Sequence, residues 1–116
     1  MTKDQHTLLI KTITDVFGEC KTNADADTQS ILITVGDAQV VVCSTGVEVD
    51  SINGPMMVAG WEVGIVNEDE EFEEECLTEN FWEMASTVAE MLAEQRVFDI
   101  RSKLGIEHMV EEQQYE

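Results

Sequence analysis

The chain of 116 residues is predicted to form a single α+β domain, with helices packed on one face of an antiparallel meander sheet. Three observations predict this. Apolar residues recur at spacings of three and four near both ends of the chain. Between them lie short β-branched or alternating runs. Gly-, Asn- and Asp-bearing turn signals separate those runs. The expected order is an N-terminal helix, a three- or four-stranded meander, and one or two C-terminal helices. Residues 1–105 are expected to form the domain and 106–116 an acidic C-terminal tail, in which Ile106, Met109 and Val110 could dock as one more helical turn.

Residues 3–17 place Leu9, Ile13, Val16 and Phe17 on one helical face, Thr2 and Gln5 have capping-box spacing, and Gly18 supplies a stop. The stretch CKTNADADTQ, 20–29, reads as polar turn. ILITV, 31–35, alternates; Gly36-Asp37 is a two-residue hairpin signal; AQVVVCS, 38–44, is the expected partner strand. A short strand at Val47–Val49 and a turn at Asn53-Gly54-Pro55 lead into MMVAGWEVGIV, 56–66, a long strand. Gly60 and Gly64 inside it point to a bulge or to a closely approaching backbone. From about residue 79, Phe81, Ala85, Val88, Ala89 and Leu92 share a helical face. Val97, Ile100 and Leu104 lie on a different stripe, so a bend or break is expected near Glu94–Arg96, with a second short helix to Lys103 and a stop at Gly105.

Charge is the exceptional feature. Asp and Glu number 25 against 6 Lys and Arg, a formal net charge of −19. The cations are Lys3, Lys11 and Lys21 near one end and Arg96, Arg101 and Lys103 near the other. Thr22–Gln95 has none, yet carries 17 carboxylates. Ion pairing cannot neutralise such a stretch, and its self-repulsion works against the compact state. Solubility or a halophilic origin would explain the total, but halophilic proteins spread their acids evenly. Here they concentrate in NEDEEFEEE, 67–75, where only Asn67 and Phe72 are uncharged.

Several function classes lack support. No nucleophile motif, phosphate-cradling glycine loop, or zinc-spaced Cys/His set occurs, so no enzyme, cofactor or metal site is expected. His6 reads as a half-exposed helix residue, and His108 falls in the tail. NADADT, 23–28, opens like a calcium loop but has Thr28 where Gly is needed and Thr34 where Glu is needed. Trp61 and Trp82 read as core or core-edge anchors. Cys20, Cys43 and Cys76 read as reduced thiols of a cytoplasmic protein. No apolar run approaches the roughly 20 residues of a membrane span. Direct nucleic-acid binding is disfavoured, because phosphate contacts need Lys and Arg.

The same charge suits the opposite role. Phosphates recur every ~3.4 Å of axis on each DNA strand, and same-side residues of a strand recur at about twice that interval. The candidate partner-binding ridge is Glu68, Asp69, Glu70, Glu71, Phe72, Glu73, Glu74 and Glu75. It continues through Glu79, Glu83, Glu90 and Glu94 on the outer helix face, with Asp37, Glu48, Asp50 and Glu62 as additions from the sheet. Phe72 is either an anchor within a charged rim or a core residue closing the connection from sheet to helix.

WEVGIVNEDEEFEEE followed by TENFWEMASTVAEML, a strand, an acid block and a helix, resembles at class level the small acidic phage-encoded inhibitors of host nucleases, the anti-CRISPR and anti-restriction DNA mimics. The likeness covers order and charge over about half the chain, with no shared diagnostic motif. It implies an inhibitor that occupies the basic DNA- or RNA-binding site of a nuclease or CRISPR effector, acting in the host cytoplasm as a monomer or homodimer. An immunity protein against a nuclease toxin would have the same physics. An acidic secretion chaperone has a similar outline, with a helix at each end.

Overall fold

A computed structural model describes residues 1–105. It contains helix α1 (Lys3–Phe17), strands β1 (Lys21–Asp25), β2 (Ser30–Val35), β3 (Ala38–Ser51), β4 (Gly54–Val66) and β5 (Phe72–Thr78), and helix α2 (Phe81–Leu104). The strands form one antiparallel meander in the order β1-β2-β3-β4-β5. The α+β class and element order are as expected, and the sheet has five strands. Its two edge strands, β1 and β5, are additional to those expected, and two expected strands are joined in β3.

α1 begins as the sequence specifies. The Thr2 hydroxyl accepts from the Gln5 N–H, and the Gln5 side chain accepts from the Thr2 N–H. Gly18 ends the helix in the left-handed region, at φ 83°. Alternation then sorts β2 and β3. Ile33, Val35, Ala38, Val40 and Val42 face the helices, joined by Trp61 and Val63 of β4; Leu9 and Ile13 of α1 and Met84, Val88 and Leu92 of α2 cover them. Burying a side chain of this size contributes roughly 1.5–3 kcal/mol, so this shared layer holds both helices to one face. Among the described residues, the other face carries no helix.

Four local expectations change. The 20–29 segment is a strand followed by a turn: Lys21–Asp25 pairs with β2, and the Asp25 carboxylate accepts from the N–H groups of Asp27 and Thr28. The short strand at 47–49 is part of one 14-residue strand, β3. Its turn to β4 comprises Ile52 and Asn53, and Pro55 already pairs with Asp50. Among the described residues, β3 and β4 pair only with each other from Thr45 and Gly60 to the tip, forming an arm. α2 runs unbroken from Phe81 to Leu104, with Asn80 as its N-cap, and Gly105 ends it at φ 67°. The change of stripe near Glu94–Arg96 is a change in what the helix faces. Trp61 is buried, with Phe81 edge-on at 6.2 Å, whereas Trp82 is exposed. The expected tail at 106–116, with His108, lies outside the described residues.

Candidate functional site: an acidic flank

The acid block does not remain a linear run. Asn67 folds its first half. Its side-chain oxygen accepts from the N–H groups of Asp69 and Glu71, each at 3.0 Å. Its backbone N–H donates to the Glu71 carbonyl at 2.9 Å, and its amide donates to the Glu73 carboxylate at 3.1 Å. Glu70 takes the left-handed conformation, φ 62°, to close this turn. Glu68, Asp69, Glu70 and Glu71 all project from it and are exposed.

The second half is strand β5, at one edge of the sheet. Its pairing with β4 slips between Val63 and Gly64. Gly64 makes the slip possible, because a Cβ there would strike the Glu73 carbonyl and the Phe72 ring. Gly60 is similarly pressed by Val47, the Thr78 carbonyl and Glu79. Both glycines therefore act as the sequence suggests, one at a bulge and both under a close backbone.

The bulge decides which way the acids point. Glu73 and Glu75 turn to the helix side, where with Glu94, Ile65, Met91 and Gln95 they line a small open cleft between β5 and α2. Glu83 lies further along the same flank of α2, and the Cys76 thiol donates to its carboxylate at 3.7 Å. Glu90 is exposed between Glu83 and Glu94 on that side of the helix. The structure thus brings Glu73, Glu75, Glu83, Glu90 and Glu94 to one flank, with the 68–71 turn continuing in sequence from β5.

Other expected members fall elsewhere. Glu79 is in the link before α2, not on the helix, although it is exposed. Glu74 and Phe72 point to the helix-free face. There the Phe72 ring covers Gly64 and is 37% exposed, so Phe72 is not a core residue. Glu62 shares that face. Asp37 sits in the β2–β3 turn, and Glu48 and Asp50 lie on the arm, so these additions from the sheet do not join the flank.

Sequence reading missed Asn67 as the organiser of the turn. The available signal was its place as the one amide at the head of an acid run, since Asn side chains accept from backbone two residues on. It also missed Gln95, which extends the sheet by a side chain: its Nε2 donates to the Gln39 carbonyl and its Oε1 accepts from the Gln39 N–H, at 2.9 and 3.0 Å.

The chemistry available is electrostatic. Among the described residues no group of three His, Cys, Asp or Glu is placed to hold a metal ion. No described helix is long and apolar enough to cross a membrane. Cys20, Cys43 and Cys76 are free thiols. Burial raises the pKa of Cys20, and burial followed by the nearby Glu62 carboxylate raises that of Cys43. Both are therefore poor nucleophiles. Comparison with protein-family models, curated proteins and solved structures gives no match.

Proposed function

We propose that this protein is an inhibitor that presents its acidic flank in place of a nucleic-acid backbone and occupies the basic DNA- or RNA-binding site of a nuclease or CRISPR effector. The observation that carries this reading is the convergence of Glu73, Glu75 and Glu94 on one cleft, inside a stretch from Thr22 to Gln95 that has no cation. Carboxylates held at a sheet edge and along a helix form an extended negative surface on a rigid frame. Such a surface is steered rapidly to a positively lined groove. Phe72, on the helix-free face of the same strand, offers an apolar contact at the rim of this surface.

Electrophoretic mobility of nuclease–DNA complexes tests the reading, with a panel of restriction and CRISPR enzymes and purified inhibitor added. Release of DNA from at least one of them is expected. DNA binding that is untouched across the panel would count against it. An immunity protein acting on a nuclease toxin would behave the same way toward its own toxin.

A second reading has one specific observation behind it. An apolar groove between α1 and α2 is lined by Leu8, Val16, Phe17, Phe81, Trp82 and Ala85. A secretion chaperone would seat an extended apolar segment of its client there. Tight binding of unfolded clients, lost on Trp82→Ala and with no effect on any nuclease, would favour that reading instead.

A further inference from the structure

α2 carries two apolar stripes, and the domain uses one. Met84, Val88 and Leu92 face the sheet and are fully buried. Gln95, bonded to Gln39, ties this part of the helix to the start of β3, and the Arg96 guanidinium lies over Gly36 in the β2–β3 turn. The helix then continues about two more turns. From Val97 to Leu104 every residue except Asp99 is exposed. Val97, Ile100 and Leu104 are 47%, 53% and 66% exposed. With Ala93 they are spaced four, three and four, the spacing of a coiled-coil seam. At 3.6 residues per turn this seam lies about 150° around the helix from the buried stripe.

We propose that Ala93–Leu104 is a self-association site, which closes an antiparallel helix pair with the same segment of a second copy of the chain. Charge selects that occupant. Three of the six cations in the protein, Arg96, Arg101 and Lys103, stand on or beside this segment. The segment also carries Glu94 and Asp99, so its charge is mixed, and it suits a partner with a matching alternation of signs, which a second copy of the same segment has. Charge also selects the direction. In an antiparallel pair Val97 packs on Ile100 of the second copy and Ala93 on its Leu104. Glu94 and Arg101, seven residues apart on one flank of the seam, then each face the other's counterpart, giving two reciprocal ion pairs. A parallel pair would give Glu94 and Arg101 no such oppositely charged partners. Arg96 and Lys103 approach each other in the antiparallel pair, but Arg96 is turned back over Gly36.

The seam spans under two heptads, short of the roughly 1,200 Å² that a stable interface buries. Each copy also brings a charge of −19. The dimer is therefore weak and reversible, and salt strengthens it by screening the repulsion between the two bodies. The seam adjoins the acidic flank, since Glu90 stands seven residues before Val97 and Glu94 belongs to both surfaces; self-association is read without any nuclease present, so its failure leaves the nuclease reading untouched.

Sedimentation velocity of the full chain over a range of concentrations tests this, at about 0.05 M and about 0.5 M NaCl. A monomer–dimer equilibrium that tightens with salt is expected, and Ile100→Glu should return the monomer. Glu94→Arg alone and Arg101→Glu alone should each weaken association about tenfold, and the double exchange should restore it. Circular dichroism checks that each variant keeps its helices. A chain that stays monomeric at the highest concentration and salt overturns the proposal. So does a dimer indifferent to Ile100→Glu, or a double exchange that restores nothing.

Discussion

The two edge strands of the sheet solve one problem in different ways. β1 is Lys-Thr-Asn-Ala-Asp, fully exposed, with one charge of each sign. β5 is Phe-Glu-Glu-Glu-Cys-Leu-Thr, with three successive carboxylates and four more in the turn before it. An exposed edge must be kept from pairing with other chains, and a polar strand bearing a charge or two achieves that. β1 shows how little is needed. The charge on β5 and its neighbours far exceeds that need and adds repulsion within the fold. Edge protection accounts for β1; at β5 it leaves most of the charge unexplained.

The largest effect that would break this comparison is at the bulge. Gly64→Val would push a side chain into Glu73 and Phe72, and should cost about 3 kcal/mol or more in urea unfolding. A valine at Asn23, on the exposed β1 edge, should stay within about 0.5 kcal/mol. Equal effects would mean that β5 does not need its close approach to β4.

Next in size is the charge itself. Converting Glu70, Glu71, Glu73 and Glu75 to Gln should slow association with a susceptible nuclease by about a hundredfold in stopped-flow, with the fold intact or more stable. Removing as many charges away from the flank, with Asp27→Asn, Asp37→Asn, Glu48→Gln and Asp50→Asn, should leave the rate nearly unchanged. If both changes slow association equally, total charge matters and the flank does not.

Asn67→Ala should cost about 1–2 kcal/mol by thermal or urea unfolding, because it leaves the Asp69 and Glu71 N–H groups and the Glu73 carboxylate without their partner. Glu70→Gly should stabilise the fold by up to about 1 kcal/mol, since glycine accepts the left-handed turn without strain. A loss of stability there would contradict the turn geometry.

The smallest effect is at the thiols. Cys20 and Cys43 hold their protons more tightly in the fold than the ordinary value of 9.0. Below that pH, protonated thiols add no pH dependence. Above it the unfolded chain ionises first, so stability falls as pH rises. Wild type should therefore lose slightly more stability than the Cys20→Ala/Cys43→Ala variant between about pH 8 and pH 10. An identical slope would refute this.

Periodicity and caps made most of the fold legible. Thr2, Gln5, Gly18 and the Gly36-Asp37 turn sit where local chemistry alone would put them. The edge strands were illegible for a physical reason: an edge carries few buried side chains, so β1 has no alternation and β5 has polar residues on both sides. The change of stripe in α2 was visible, but sequence cannot distinguish a bent helix from a straight one that outruns its sheet. For the site, composition located the acid block. The bulge at Gly64, which turns Glu73 and Glu75 toward Glu94, depends on pairing between strands and cannot be read along the chain.

The most direct test of the polyanion account is the salt dependence of the dissociation constant between this protein and a nuclease whose DNA it displaces. Steep weakening is expected as salt rises, with a slope that flattens when Glu70, Glu71, Glu73 and Glu75 become Gln. An affinity that stays constant across salt, in wild type and variant alike, would contradict it.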